Sequence, residues 1–169
     1  MPGHPPLPDD PIELARRNWV EHGWVNAADG MALVTSIMRV QQVFLARIER
    51  ILRPYGLTFA RYEVLRLLAF SRRGVMPVGR IGERLQVHPA SVTNAVQRLE
   101  ADGHVRRTAN PNDRRGVLAE ITDEGRRLVE ECTERLNAEV FANVPIPPSQ
   151  QQTAFTALKK ARKAFGDFA

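Results

Sequence analysis

Apolar residues recur at helical spacing in the middle of the chain and predict two consecutive helices. In the first, Val78, Ile81 and Leu85 fall at offsets of three and four residues, which places them on one face. Pro89 follows a short connection and suits the first position of a second helix, because its φ is already helical and its missing N–H costs nothing there. The pattern therefore predicts a helix-turn-helix.

The second helix, residues 89–101, has an apolar face and a hydrogen-bonding face. Val92, Val96 and Leu99 share the apolar face at helical offsets. The other face carries hydroxyl, amide and guanidinium groups, which pair with base edges and phosphates in the major groove of DNA. We interpret this segment as a recognition helix with the outward residues Ser91, Thr93, Asn94, Gln97 and Arg98.

A β-hairpin is predicted after Gly103, a residue type that commonly ends a helix. Apolar and polar residues alternate along two segments, so that one face of the hairpin can cover a core. The apolar positions are Val105 in the first strand and Val117, Ala119 and Ile121 in the second. Residues 110–116 between them are rich in turn-forming types and predict a loop, which we interpret as a wing.

Arg114 and Arg115 give the wing two adjacent guanidinium groups. An arginine at a narrow loop tip can enter the minor groove, where the potential is most negative. Because a carboxylate facing DNA is repelled unless it is paired, we infer that Asp113 hydrogen-bonds the guanidinium of Arg115. The alternative is a plain polar turn with solvated arginines.

The segments on either side predict long amphipathic helices. In the N-terminal half, Asp10 and Pro11 predict the start of a short helix that ends near His22, and residues 29–53 carry an apolar stripe wide enough to contact a second subunit. Thr58 is expected to cap a helix that ends near Phe70.

Beyond the wing, Thr122 is expected to cap a long helix that ends near Asn143. A capping box formed by Ser149 and Gln152 predicts the last helix. We expect the first and last helices to bury their apolar stripes against each other, within one subunit and across a dimer.

The expected fold is mainly α with a small β-hairpin wing, a winged helix-turn-helix whose dimer is built from the N- and C-terminal helices. The expected organisation is a disordered tail over 1–8, dimerisation helices over 9–53, a DNA-binding lobe over 54–122 and further dimerisation helices over 123–169.

The distribution of charge indicates the binding partner of the protein, and the cysteine content indicates its cellular compartment. Residues 72–116 hold nine arginines against four acidic residues, an excess equal to the whole chain's net charge of +5, as a DNA-binding lobe requires. The single cysteine fits a reducing compartment, and we expect neither a signal peptide nor an apolar run long enough to span a bilayer. A cytoplasmic protein without membrane contact is therefore expected.

The sequence lacks the motifs that would indicate an enzyme. The sequence has no plausible nucleophile and base pair, no glycine-rich phosphate loop and no cysteine and histidine spacing for zinc. We expect no cofactor and no metal.

Several segments of the chain match the pattern of one protein family: LTFARYEVLRLL (57–68), ERL (83–85), SVTNAVQRLEADGHVRR (91–107), and DRR (113–115) followed by ITDEG (121–125). Together they resemble the MarR family of multiple-antibiotic-resistance regulators. The resemblance covers about residues 33–140. It implies a homodimeric bacterial transcription factor, usually a repressor, that a small ligand or an oxidant releases from DNA.

The resemblance extends partly to a urate-sensing subgroup of the family. That subgroup carries a ligand-contacting tryptophan on an extra N-terminal helix, and Trp19 occupies a similar position in this chain. This chain has Glu63 where the subgroup has an aspartate and Ala95 where it has an arginine, so urate itself is disfavoured. The alternative for Trp19 is a packing anchor. A redox role for Cys132 is disfavoured because Glu130, Glu131 and Glu134 would raise the pKa of its thiol.

We therefore expect a homodimeric repressor that binds a pseudo-palindromic operator in double-stranded DNA and is released by a small-molecule inducer. The alternatives are a winged-helix module for protein interaction, and an activator or redox-responsive regulator. The expected DNA-binding residues are Pro89, Ala90, Ser91, Thr93, Asn94, Gln97, Arg98, Arg107, Asp113, Arg114 and Arg115, and the expected ligand-binding residues are Trp19 and Glu63.

Overall fold

The computed structural model describes residues 7–111 and 113–169, with all their side chains except those of Arg114 and Arg115. Most of the expected disordered tail over 1–8 lies outside the described residues. The fold is mainly α with a small antiparallel sheet, as predicted. Its elements are α1 (Pro11–Glu21), α2 (Val25–Leu52), α3 (Phe59–Phe70), β1 (Val75–Pro77), α4 (Val78–Leu85), α5 (Pro89–Ala101), β2 (Val105–Asn110), β3 (Asp113–Ile121), α6 (Asp123–Glu139) and α7 (Pro148–Ala164), with short 3-10 turns at Arg53–Tyr55 and Phe141–Asn143.

Helices α4 and α5 form the helix-turn-helix with the predicted bounds. Gln86 ends α4 in the left-handed conformation, with φ of 54°. His88 caps α5, because its Nδ1 accepts a hydrogen bond of 3.2 Å from the backbone N–H of Ala90. Pro89 occupies the first turn, where no intrahelical donor is needed.

The core of the lobe lies between this motif, α3, the sheet and α6. Leu65 and Leu68 of α3, Ile81 of α4 and Leu99 of α5 are fully buried. Val129, Cys132 and Leu136 complete the core from α6. The apolar stripes read from the sequence of α4 and α5 therefore meet α3 and α6 in one cluster.

The sheet differs from the predicted hairpin by one additional strand. The strand order is β1-β3-β2, and β1 pairs with β3 through Val75 and Glu120. A strand of three residues ending in Pro77 carries no alternating pattern of its own, so only its pairing with β3 defines it.

The wing also differs from prediction in its length. The two strands extend to Asn110 and from Asp113, so the predicted loop over 110–116 is mostly strand. Val117, expected on the core face, is 38% exposed, because its partner in the register is Ala109 and this pair lies beyond the part of the hairpin that covers the core.

Three predicted helix caps are confirmed. Asp10 Oδ1 accepts a hydrogen bond of 2.9 Å from the N–H of Ile12, and Thr58 Oγ1 accepts one of 3.4 Å from that of Arg61. Thr122 Oγ1 accepts one of 3.0 Å from Gly125 and donates one of 2.9 Å to the carbonyl of Gly103, which ties α6 to the turn after α5.

The boundaries of α2 and α6 differ from prediction. Helix α2 begins at Val25 rather than Asp29, because the preceding turn is also helical and its Ala28 is buried. The Asp29 carboxylate lies 3.3 Å from the Arg16 guanidinium of α1. Helix α6 ends at Glu139, and the predicted end at Asn143 belongs to a separate 3-10 turn.

The predicted capping box of α7 is wrong. Pro148 takes the first helical position, so Ser149 lies inside the helix, and no side chain caps its start. A proline favours that position because its fixed φ is already helical.

The terminal helices leave much apolar surface uncovered. No residue of α7 is buried, and the expected mutual burial of α1 and α7 within one subunit is not observed, since α1 instead packs along α2. The large apolar side chains of α2 and α7 that remain exposed are Val25, Leu33, Val34, Ile37, Met38, Val40, Val43, Phe155 and Leu158.

Within the described residues, the stretch Val25–Tyr55, formed by α2 and the 3-10 turn that follows it, is long and apolar enough by length and composition to cross a membrane, contrary to the expectation from sequence. Length and composition do not separate such a span from a helix whose apolar face meets another protein. Arg39 and Arg47 lie within it, and a charged side chain inside a bilayer is costly. These residues favour protein contact for the exposed face.

Candidate nucleic-acid interface

The outward face of α5 is open to solvent along its length. Ser91, Thr93, Asn94, Gln97 and Arg98 are all exposed, as are Pro89 and Ala90 at its start. Val92, Val96 and Leu99 are at most 1% exposed on the opposite face. The buried side fixes the helix, so its polar side chains project together from the lobe.

Two open grooves flank this face, and each is lined by some of the expected DNA-binding residues, whereas Pro89 and Gln97 line neither. A groove of about 780 Å³ lies between α4, α5 and the wing, and it brings together Thr93, Arg107 and Asp113. A second, of about 720 Å³, lies between α3 and α5, and Ala90, Ser91, Asn94 and Arg98 line it.

The grooves also contain polar residues that the sequence analysis did not select. Arg80 and Glu83 of α4 line the first groove, and Arg61 of α3 lines the second. Arg61 Nη1 lies 3.4 Å from Asp102 Oδ2, which joins the start of α3 to the end of α5. Arg80 and Glu83 lie off the apolar stripe of α4, a signal that could have identified them.

The wing closes over a glycine near its tip. A Cβ atom at Gly116 would lie 2.8 Å from Asp113 Oδ2 and 3.1 Å from Asn110 Nδ2, so both side chains lie close to the backbone of this glycine and would have to shift for a larger residue. The side chains of Arg114 and Arg115 lie outside the described residues. Their contact with DNA and the hydrogen bond from Arg115 to Asp113 therefore stay predictions.

Arg107, expected to contact DNA, is held by the recognition helix. Its Nε lies 2.5 Å from Glu100 Oε2, and its backbone N–H donates a hydrogen bond of 3.1 Å to Glu100 Oε1. Nothing in the sequence pattern pairs these two residues, because a helix end and a turn separate them.

The two expected ligand-binding residues lie outside both grooves. Trp19 is half-buried and meets the ring of Trp24 edge to face, with the ring centroids 5.4 Å apart. Glu63 is half-buried on α3, and burial raises the pKa of its carboxyl. Ala95, where the subgroup of the resemblance has an arginine, is 9% exposed. The ligand contact of Trp19 and Glu63 stays a prediction.

Cys132 is fully buried on the inward face of α6. Burial, followed by the charge of Glu131, raises the pKa of its thiol to about 11, and Arg135 opposes this shift. The expected direction is confirmed, although burial and not the neighbouring carboxylates is the main cause.

The fold and the exposed face of α5 define a winged helix-turn-helix protein. A sequence model of the MarR family matches residues 55–116. The crystal structure of Sco5413, a MarR family transcriptional regulator from Streptomyces coelicolor, is similar with a TM-score of 0.76 and 47% identity, covering 83% of this chain and 97% of that one. The chain belongs to the MarR family of transcriptional regulators.

Two further proteins support the assignment to this family. Sco3205, a MarR family transcriptional regulator from the same organism whose structure contains DNA, has a TM-score of 0.72 at 25% identity, covering 81% of this chain and 88% of that one. The transcriptional regulator BilQ of Clostridioides difficile (strain CD3) is 30% identical over 93 residues, which are 55% of this chain and 62% of BilQ. The chain spans less than two thirds of the length of the first curated relatives that it matches.

The expectation of a regulator rather than an enzyme is confirmed.

Proposed function

We propose that the chain is a DNA-binding repressor that works as a homodimer in the cytoplasm. The observation that carries this proposal is the row of exposed hydrogen-bonding side chains on α5 beside a basic hairpin. Helix α5 would lie in the major groove, and the wing would reach the adjacent minor groove. Sco3205 was crystallised with DNA, which supports this assignment.

The homodimer is supported by the apolar surface of α2 and α7. Leu33 is 62% exposed on α2 and Phe155 is 56% exposed on α7, and monomeric soluble proteins seldom leave large apolar patches uncovered. A two-fold dimer would cover the same surface on both subunits and present two recognition helices about one turn of DNA apart. We therefore expect a pseudo-palindromic operator with half-sites roughly 10 bp apart.

Release by a small ligand is the second part of the proposal. The family resemblance implies an inducer, and we place it between the dimerisation helices and the DNA-binding lobe, taken as residues 54–122. A ligand bound there would change the separation of the two lobes and thus the affinity for DNA. Trp19 and Glu63 are the residues of the chain that we expect to contact it.

A winged-helix module for protein interaction is the alternative function. Such a face is expected to expose aromatic side chains, whereas the outward residues of α5 are hydroxyl, amide and guanidinium groups. This composition favours DNA.

The experiment is a footprint on the DNA that flanks the chain's own gene, repeated over a panel of small ligands. We expect a protected two-fold site that one ligand abolishes. Arg115→Ala should weaken binding about equally across sequences and flatten its salt dependence, while the matched variant Arg17→Ala, in α1, should not. Absence of any retention on duplex DNA in dilute buffer would refute the proposal.

A further inference from the structure

The ion pair between Glu100 and Arg107 joins the two elements that we expect to touch DNA. Glu100 lies in the last turn of α5 and Arg107 lies in β2. Both oxygens of the carboxylate are used: one lies 2.5 Å from the Nε of Arg107, and the other accepts a hydrogen bond of 3.1 Å from its backbone N–H. The strand is therefore fixed to the helix through its backbone as well as its side chain.

The pair lies where the hairpin leaves the core. Ala119, the partner of Arg107 in the sheet register, is fully buried. One pair further along, Thr108 is exposed and its partner Leu118 is half-buried, and beyond them Ala109 and Val117 are exposed. Glu100 therefore contacts β2 at the last pair of the hairpin that includes a fully buried residue, and a small rotation at this point would move the wing tip.

The charge of Arg107 is already compensated. The Arg107 and Glu100 side chains are 33% and 35% exposed and contact each other, and Arg107 lines the groove between α4, α5 and the wing. An arginine that binds a phosphate needs its guanidinium free, and separating a partly buried pair leaves a carboxylate without its counter-charge.

We infer that Glu100 and Arg107 are positioning residues that set the direction of the wing relative to the recognition helix, and that Arg107 does not itself bind DNA. This inference rests on the proposed function. The helix and the wing must reach adjacent grooves of one duplex, so their mutual geometry limits which DNA both can contact at once. A wing already held at the right angle to α5 in the free protein can therefore bind DNA without first being ordered.

The substitution Glu100→Gln distinguishes a positioning role of Arg107 from direct contact with DNA, because the two roles predict opposite changes in DNA affinity. If Arg107 bound a phosphate, loss of the Glu100 charge would free its guanidinium and strengthen DNA binding. If the pair positions the wing, the same substitution weakens DNA binding even though the protein becomes more positive.

The chain offers a matched control in the neighbouring pair of Arg106 and Glu120. These residues face each other across β2 and β3, with Arg106 Nη1 3.9 Å from Glu120 Oε2, and their side chains are 69% and 42% exposed. Glu120→Gln makes the same change of charge in the same hairpin without touching the connection to α5.

The test measures affinity for the operator at several salt concentrations, together with protection of guanine N7 in the major groove and of sugars in the minor groove. We expect Glu100→Gln and Arg107→Gln to lower affinity about tenfold and to weaken minor-groove protection selectively. Glu120→Gln should bind at least as tightly as the parent. The salt dependence of Arg107→Gln should match that of the parent, whereas a lost phosphate contact would reduce its slope by about one.

Tighter or unchanged binding by Glu100→Gln, or a reduced salt slope in Arg107→Gln, would overturn the inference. If the parent binds no duplex, the proposed function fails, and the connection is still tested without DNA. Hydrogen exchange of the backbone amides of residues 107–110 should then accelerate in Glu100→Ala and not in Glu120→Ala. Equal exchange in both variants would show that Glu100 does not hold the wing.

Discussion

At the scale of single residues, Cys132 is inaccessible and poorly ionised. A pKa of about 11 leaves roughly one thiol in a thousand ionised at pH 8, and none of the side chain is exposed. We expect iodoacetamide to leave the folded protein unmodified at pH 8 and to alkylate it quickly in urea, as followed by mass spectrometry. Rapid alkylation of protein with native circular dichroism would contradict the burial of this residue.

The same thiol makes stability depend on pH. Its pKa is raised from 9.0 to about 11 in the folded protein, so the folded state binds its proton more tightly than the unfolded state. The resulting stabilisation is complete below pH 9 and is lost as the pH rises towards 11. Urea unfolding between pH 8 and 11 should show a steeper loss of stability for the parent than for Cys132→Ala.

Asn94 and Arg98 are the side chains that we expect to read bases. Both are exposed on α5 and line the groove between α3 and α5. Alanine at either position should reduce discrimination at one base pair by about 1–3 kcal/mol, measured by competition between operator variants. An equal loss of affinity on every sequence would instead indicate contact with phosphates.

At the scale of elements, Gly125 allows α6 to start close to the turn between α5 and β2. A Cβ atom there would lie 2.3 Å from the backbone carbonyl oxygen of His104, so α6 or this turn would have to move. We expect Gly125→Ala to lower the free energy of unfolding by about 1–3 kcal/mol, as measured with urea.

Gly79 provides the matched control, since a Cβ atom on this residue of α4 would meet nothing within 4 Å. Gly79→Ala should raise the free energy of unfolding by up to about 1 kcal/mol, because alanine loses less backbone entropy in a helix. Similar effects of the two substitutions would contradict the close contact between α6 and His104.

At the scale of the whole molecule, the exposed face of α2 should decide the oligomeric state. Leu33 lies on the apolar stripe and Thr35 lies about opposite on the same helix, and both are exposed in the single chain. Leu33→Asp places a carboxylate in both halves of a two-fold interface and should give a monomer that no longer binds the operator. Sedimentation velocity at micromolar concentration measures this.

Thr35→Asp is the control and should remain dimeric. The core of the DNA-binding lobe does not include Leu33, so both variants should keep their helical circular dichroism. A dimeric Leu33→Asp variant would show that α2 does not form the interface.

The candidate site was predictable as far as it depends on one helix. The exposed residues of α5 follow from its apolar period, since Val92, Val96 and Leu99 determine which side is buried and therefore which is open. The role of Arg107 was not predictable in this way. From composition alone, Arg107 is one of several arginines in a basic segment. The contact with Glu100 forms only when the fold brings the end of α5 next to β2.

The sequence by itself determined the helix-turn-helix, the hairpin and the caps Asp10, Thr58 and Thr122, because periodicity and capping act between residues a few positions apart. The tertiary structure decided what distant segments do to one another. Strand β1 exists through pairing with β3, Arg16 of α1 contacts Asp29 of α2, and Glu100 of α5 contacts Arg107 of β2. These outcomes depend on contacts between elements, and those contacts form only when the apolar faces of several helices are buried in one core.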